Sequence, residues 1–332
     1  MRKINLAVVG CGIVAKEHHY PALNKLKEKY NVVAVNSKTR RNAEKFSDMF
    51  ENHPRVFDTY DDLLAWGEFD AVDLALPTEY NVEFIQKALI NNKSVFCEKP
   101  IAVNTDEAKK ILGMSALSSN VVYIAENFRH INAHYRIRKI IDSGKIGRLQ
   151  FIIWKQLIGM KDDNKYAETL WRKKPKHIGG FLSDGGVHHI AAIRIFMGEI
   201  ESVYAKTKKV SDYLGGNDTL FMTMNFKEGY IGSYTVSYAL GDGRIKIDIY
   251  GDSGSIKIRK NYFIVQTEKE KLTYKIPREY SFANEFLDFY RVFNGAANIK
   301  GDPIEAIKDL AVIEAGISSS VKGNEVAIKN FL

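Results

Sequence analysis

Between Ile4 and about Ala125 the chain alternates short β-branched apolar runs, INLAVVG, NVVAVNS, AVDLALP, KSVFCEK and VVYIAEN, with helix-length amphipathic segments. Runs that are apolar on both side-chain faces need cover on both, and helices between successive runs supply it while returning the chain for parallel pairing. The pattern predicts a doubly wound α/β domain. Beyond about His130 the texture changes. A helix, AHYRIRKIIDSG, is ended by Gly144, a strand surrounds LQFIIWKQ, and the later runs TLFMTMNF, YIGSYTVSYAL and RIKIDIYG alternate polar and apolar residues between glycine-containing turns. These predict a large, mostly antiparallel sheet with one open face. Two amphipathic helices, SFANEFLDFYRVFNG and PIEAIKDLAVIEAGISSS, close the chain, the second with Pro303 in its first turn.

Two domains suit a chain of 332 residues, because domains usually hold about 100 to 200 residues each. An apolar content of 45% with 27% charged residues argues against disorder. The apolar runs fall far short of the ~18 residues that cross a bilayer, and the basic start MRKINLAVVG runs into glycines without a small-residue cleavage site. It reads as a first strand of a cytoplasmic protein. Cys11 and Cys97 each end an apolar run, as small fillers rather than members of a disulfide framework, so a reducing compartment suffices. The net charge of +8 is spread along the chain among acids and accompanies no nucleic-acid motif. Neither a nucleic acid nor a membrane is expected as a partner.

The first run enters GCGIVA, with Gly10, Gly12 and Ala15 at the positions of a G-x-G-x-x-G/A fingerprint. Glycines there allow a tight turn and let backbone N–H groups approach a pyrophosphate at a helix N-terminus, and the small third residue lets helix and strand pack closely. Strand before and helix after supply the context the motif needs, so a dinucleotide is the expected cofactor. The second run ends in Asn36 and Ser37 rather than in a carboxylate that would bind the adenosine ribose, and Lys38, Arg40 and Arg41 follow. A neutral strand end with basic residues beyond it suits a 2′-phosphate. NADP is therefore expected over NAD, with solvent-facing charges as the alternative role for at least one of the arginines. Lys99, in VFCEKPIAVN, lies just past the carboxyl end of a strand, where ligands of open α/β sheets bind. An ordinary surface lysine is the other reading, and the Lys99–Pro100 bond can be cis or trans.

Three signatures, Gly10-Cys11-Gly12-Ile13-Val14-Ala15, then Glu98-Lys99-Pro100, then GGFLSDGGVHH from Gly179, resemble in order and spacing those of the glucose–fructose oxidoreductase / inositol dehydrogenase / MocA family across nearly the whole chain. The resemblance implies a Rossmann domain over 1–126 and a substrate-binding and oligomerisation α+β domain over 127–332. It implies NAD(P)-dependent hydride transfer on the CH–OH group of a sugar, polyol or inositol, by a homodimer or homotetramer. Gly10, Cys11, Gly12, Ile13, Val14, Glu98 and Lys99 then fall at cofactor-binding positions.

Asp184 and His188 resemble the family's D-x-x-x-H catalytic pair, and residues four apart share one face of a helix. An imidazole, with an ordinary pKa near 6.5, can take the hydroxyl proton as the hydride leaves, so His188 is the expected general base and the acid in reduction. Lys99 would stabilise developing alkoxide charge. Asp184 would bind a neighbouring hydroxyl or orient the imidazole, with helix N-capping as its alternative role. Glycines 179, 180, 185 and 186 are expected to keep the approach free of side chains, and adjacent His188 and His189 splay apart, which disfavours a metal site.

LPTEYN resembles the family's cofactor loop, placing Pro77 and Thr78 at the ribose and pyrophosphate, with Asn81 in place of the usual histidine. ENFRH resembles the stretch in which Glu126, Asn127 and Arg129 reach nicotinamide or substrate, so Asn127 is taken as cofactor-binding and Arg129 as substrate-binding. Trp171 and Arg172 resemble the family's substrate-side "WR", with core packing as the alternative for Trp171. Tyr166, Lys176 and His177 share that polar loop, and any of them can meet substrate. The family's H-x-x-D is His188-His189-Ile190-Ala191 here, which leaves the substrate open. Alternating apolar residues such as Phe221, Met224, Ile231 and Tyr234 are expected on an open face that joins copies of the chain. Two other activities fit the same fold: a cofactor- or sugar-sensing regulator without turnover, and an enzyme that keeps its cofactor bound throughout.

Overall fold

The computed structural model describes residues 2–277 and 280–332. Among these the strands form two sheets, and the chain divides by packing into two units. The first unit runs to His130 and also takes in Tyr280–Ile307; the second holds the residues from Ile131 up to that return, together with Lys308–Leu332.

The first unit is built on β1 (Ile4–Val9), β2 (Tyr30–Asn36), β3 (Arg55–Phe57), β4 (Ala71–Leu74), β5 (Ser94–Glu98) and β6 (Val122–Ala125), in the order β3-β2-β1-β4-β5-β6. Every pairing in this sheet is parallel. The strand order reverses between β1 and β4, so the carboxyl ends of these strands flank the crevice in which doubly wound sheets take ligands. The crossovers carry α1 (Tyr20–Lys25), α2 (Arg40–Ser47), α3 (Tyr60–Trp66), α4 (Asn81–Ile90) and α5 (Thr105–Leu117). Local chemistry fixes their ends. Thr59 Oγ1 accepts the Asp62 N–H at 3.0 Å to start α3, and Asn104 Oδ1 accepts the Glu107 N–H at 2.8 Å to start α5. Only β3, three residues long, lies outside the apolar runs read from the sequence.

A late helix, Ser281–Phe293, also belongs to the first unit. Phe282, Phe286, Phe289 and Phe293 recur at helical spacing, and this stripe joins the core formed by Ile4, Leu6, Val8 and Phe96. Phe286 stacks on Phe96 with ring centroids 4.3 Å apart. Packing thus gives residues 280–307 to the first unit, whereas a single cut after residue 126 groups them with the second. An amphipathic stripe shows that a helix buries one face, not which sheet it covers.

The second unit holds α6 (Asn132–Asp142), β7 (Leu149–Ile158), α7 (Leu170–Lys173), α8 (Phe181–Asp184), α9 (Gly186–Met197), β8 (Ile200–Lys208), β9 (Thr219–Phe226), β10 (Ile231–Ser237), β11 (Gly241–Gly251), β12 (Gly254–Arg259), β13 (Tyr262–Thr267) and β14 (Lys271–Lys275). With the helix Ser281–Phe293 as α10, the chain ends in α11 (Pro303–Lys322) and β15 (Val326–Ala327). The sheet order is β14-β13-β12-β11-β7-β10-β9-β8-β15. Its pairings are antiparallel except that between β7 and β10, so the sheet is mixed but mostly antiparallel.

Side chains alternate between the two faces of this sheet, with register shifts in β8 and β11. Trp154, Met222, Met224 and Tyr234 are buried on one face, while Ile153, Tyr204, Phe221 and Ile231 are exposed on the other, Phe221 at 59% and Ile231 at 57%. Of the four residues expected outside, Phe221 and Ile231 are there, but Met224 and Tyr234 point into the core. The sequence period separates two faces without saying which one is outward, and the four residues combine both phases.

Candidate functional site

In the first unit the candidate residues gather at the carboxyl ends of the parallel strands. Gly10 follows β1 with φ of +98°, and a Cβ there would stand 2.3 Å from the Ala75 carbonyl oxygen, so both backbone angle and close approach require glycine. A Cβ at Gly12 would meet no atom within 4 Å, which leaves the turn open for a ligand's approach. Ile13 and Val14 begin the helical path, which winds as a π-helical turn over Ala15–His19 before α1. Ala15 is fully buried, as a tight helix–strand contact requires. Cys11 is buried, its Sγ directed to the Asn36 carbonyl at 3.5 Å, and burial pushes its thiol up to about 12. It is an uncharged filler.

At the end of β2, Asn36 is buried and donates through Nδ2 to the Phe57 carbonyl at 3.0 Å; Ser37 is buried beside it. Lys38, Arg40 and Arg41 are all exposed. Arg40 is held by Glu44 at 2.9 Å and Asp58 at 2.8 Å. After β4, Pro77 is half-buried, and Thr78 is buried at the start of a short helical turn.

Lys99 is half-buried directly after β5, and the Lys99–Pro100 peptide bond is cis. Asn81, at the start of α4, is 1% exposed and directs Nδ2 at three carbonyls of this turn: Glu98 at 3.3 Å, Pro100 at 3.0 Å and Ile101 at 3.2 Å. Glu98 is buried; Oε1 lies 3.0 Å from His19 Nε2, and Oε2 accepts the Lys99 backbone N–H at 3.2 Å. His19 Nδ1 lies 2.8 Å from Asp73 Oδ2. Burial alone would lower the His19 pKa, but the charges and hydrogen bonds of Asp73 and Glu98 prevail and raise it to about 10, so the ring is a cation at neutral pH.

After β6, the Glu126 carboxylate accepts the Phe128 N–H at 3.0 Å, and Asn127 Nδ2 donates to Ser281 Oγ at 2.9 Å. Arg129 is buried and lies against Glu305, 3.3 Å from its carbonyl and 3.6 Å from its carboxylate. Asn127 and Arg129 thus both hold the returning segment Tyr280–Ile307 of their own unit.

The second unit assembles the polar loop and the D-x-x-x-H segment. Asp184 ends α8, and Gly185, with φ −99° and ψ −26°, keeps a right-handed helical backbone into α9. Asp184 and His188 therefore follow one another by a single turn. The N-cap positions of α8 and α9 are held by Gly180 and Gly185, and Asp184 Oδ2 accepts from Arg172 Nε at 2.7 Å, with both side chains only 10% exposed. The Arg172 guanidinium lies 3.9 Å from the centroid of the Trp171 ring and 5.1 Å from that of Tyr166. His177 is buried, with Nδ1 2.8 Å from Ser183 Oγ, and Lys176 is exposed. His188 is half-buried, whereas His189 turns into the core, with Nδ1 2.8 Å from Tyr234 Oη and its ring beside Trp154.

The glycines of this segment answer to packing. Added Cβ atoms would meet Ile317 at 2.5 Å from Gly179, the Gly215 carbonyl oxygen at 2.6 Å from Gly180, Tyr238 Oη at 2.0 Å from Gly185 and Ile313 at 2.9 Å from Gly186. They let neighbouring elements close on the segment. Tyr238, absent from the sequence reading, is the neighbour at Gly185. It is buried, its hydroxyl makes no hydrogen bond, and burial with the Asp184 charge pushes its pKa up. Alternation along YIGSYTVSYAL puts Tyr234, Val236 and Tyr238 on one face, which is the signal that could have found it.

Comparison with known proteins settles the family. Residues 4–126 match the model of the GFO_IDH_MocA oxidoreductase family's NAD-binding Rossmann fold, and residues 138–328 match that of its C-terminal alpha/beta domain. The chain belongs to this oxidoreductase family. An oxidoreductase of Thermotoga maritima, known by crystal structure, is 47% identical with a TM-score of 0.95, each chain covered in full. An uncharacterised Saccharomyces cerevisiae protein is 31% identical over 98% of each chain. An Actinomadura kijaniata dTDP-3,4-didehydro-2,6-dideoxy-alpha-D-glucose 3-reductase is 28% identical over 71% of each. The fingerprint, the lysine–proline turn and the D-x-x-x-H segment thus stand in a family whose first domain binds NAD(P).

Proposed function

We propose that this family member is an NADP-dependent oxidoreductase that moves a hydride between the nicotinamide and a secondary alcohol or carbonyl of a sugar, polyol or inositol. The observation that carries the reading is Asp184 fixed by Arg172 one helical turn before His188, a pairing of an oriented carboxylate with an accessible imidazole. Gly10, Gly12, Ile13, Val14, Pro77 and Thr78 would hold the dinucleotide, which supplies the hydride acceptor when bound. His188 takes the hydroxyl proton during oxidation and returns it during reduction. Lys99 stabilises the alkoxide charge, and Asp184, with Arg172 and Trp171, orients the neighbouring hydroxyls. The reading requires Lys99 and His188 to serve one carbinol. The sugar class is supported by the activity of the Actinomadura relative.

The preference for NADP rests on the end of β2, where the neutral Asn36 amide is spent on Phe57 and no carboxylate follows. Because Arg40 is engaged by Glu44 and Asp58, Lys38 and Arg41 are the cations for a 2′-phosphate. Solved neighbours of this fold hold NAD+ in one case and NADP in another, so the choice belongs to each chain's own residues. A panel of aldoses, ketoses, polyols and inositols with both cofactors, read by nicotinamide absorbance, tests the function and the cofactor together. Turnover with NADP is expected, with KM for NADP raised about tenfold in the Lys38→Ala, Arg41→Ala double variant, the loss of one or two charge-assisted contacts. Equal or better turnover with NAD overturns the cofactor preference. Tight NADP binding without turnover on the whole panel points to a regulator.

The open face carrying Ile153, Tyr204, Phe221 and Ile231 is the surface through which copies are proposed to assemble as a homodimer or homotetramer. Light scattering is expected to give a multiple of the chain mass that falls to one chain in Phe221→Lys, Ile231→Lys. A monomeric wild type contradicts it.

A further inference from the structure

Three ionisable side chains lie buried within one hydrogen-bonded chain directly beneath the turn that carries Lys99. His19 is fully buried, between Asp73 of β4 at 2.8 Å and Glu98 of β5 at 3.0 Å. Phe96, Phe282 and Phe286 wall the imidazole at 5.9, 6.2 and 5.2 Å between centroids, and the side chain has no exposed surface. Glu285 of α10, also fully buried, makes no hydrogen bond, and burial together with the nearby Glu98, Glu126 and Asp73 charges holds it protonated well above the usual carboxylate range. His19 is thus the cation that stands between the two carboxyl groups of the chain.

A buried ion pair is a weak source of stability, since apolar residues of similar volume often do as well, whereas it fixes geometry firmly. The geometry fixed here is that of the Glu98 carboxylate. One oxygen is held by His19, which leaves the other aimed at the Lys99 N–H. Asn81 grips the same turn from its carbonyls. The turn is thus held through its own backbone groups, by Glu98 at an N–H and by Asn81 at three carbonyls.

We infer that His19 is a positioning residue: clamped by Asp73, it locks the Glu98 carboxylate so that Glu98 and Asn81 together hold the backbone of the turn 98–101 and set where Lys99 projects. The inference rests on the proposed role of Lys99. Neither histidine nor asparagine touches substrate or cofactor in this account; each acts through the turn.

The test is amide hydrogen exchange of the whole protein by mass spectrometry, with kinetics on D-glucose, D-xylose and myo-inositol using NADP. In His19→Gln, which cannot answer both carboxylates, amides of 98–102 are expected to exchange at least about tenfold faster while β4 and β1 keep their protection. With whichever alcohol is turned over, kcat is expected to fall about tenfold to a hundredfold, the scale of a small misplacement, with KM within about threefold. Glu98→Gln, which keeps shape but loses one acceptor, should reproduce both effects. Unchanged exchange at 98–102 overturns the inference. So does loss of protection across the whole sheet in both variants, which marks a role in folding alone. If Lys99→Met turns over normally while His19→Gln still loosens the turn, the reading of Lys99 fails and the clamp stands.

Discussion

Replacing His188 by alanine is expected to lower kcat by about two to four orders of magnitude, the usual worth of a general acid–base group. The side chain is half-buried at the second turn of the continuous α8–α9 path, and it follows an aspartate already fixed by Arg172. A group that takes the proton in oxidation returns it in reduction, so both directions should slow together in the variant. The fold should be little affected, because the neighbouring His189, not His188, is the histidine packed against Trp154 and Tyr234. Steady-state kinetics in both directions, with NADP affinity measured separately, checks the expectation. Normal turnover would remove His188 from the reaction.

Lys99→Met should cost about two to three orders of magnitude in kcat, the scale of losing one group that stabilises an oxyanion. Methionine keeps the length of the arm and removes only the charge, so the fall in kcat should exceed any rise in KM for NADP. Lys99→Arg should recover part of the loss at most, because a planar guanidinium cannot replace a compact ammonium at one oxygen. A Lys99→Met enzyme within threefold of wild type would show that the alkoxide is stabilised elsewhere.

The parts of the molecule legible in the sequence are those whose physics is local. Gly10 and Gly12 announce a strand-to-helix turn within three residues, alternating runs set the two sheet types, and Asp184 and His188 stand at helical spacing. What stayed hidden depends on long-range packing. His19 meets Asp73 and Glu98 across separations of 54 and 79 residues, and no local pattern distinguishes it from the adjacent His18. Asn81 looked like a departure from a family loop; its reach to the carbonyls around Pro100 gives it a holding role. Phe282 and Phe286 mark an amphipathic helix, yet only packing assigns that helix to the first unit. The glycines of the D-x-x-x-H segment read as clearance for a ligand because the bulky neighbours that need them, Tyr238, Ile313 and Ile317, lie 53 to 138 residues away in sequence.

Groups that act on the same reacting atom as a unit do not lose their contributions independently. The most direct measurement is therefore a double-mutant cycle on kcat/KM with Lys99→Met, His188→Ala and the pair together. If an ammonium and an imidazole share one carbinol, the double variant should be less than about tenfold slower than the worse single one. Losses that multiply in full, or a silent member of the pair, would contradict a shared reaction centre.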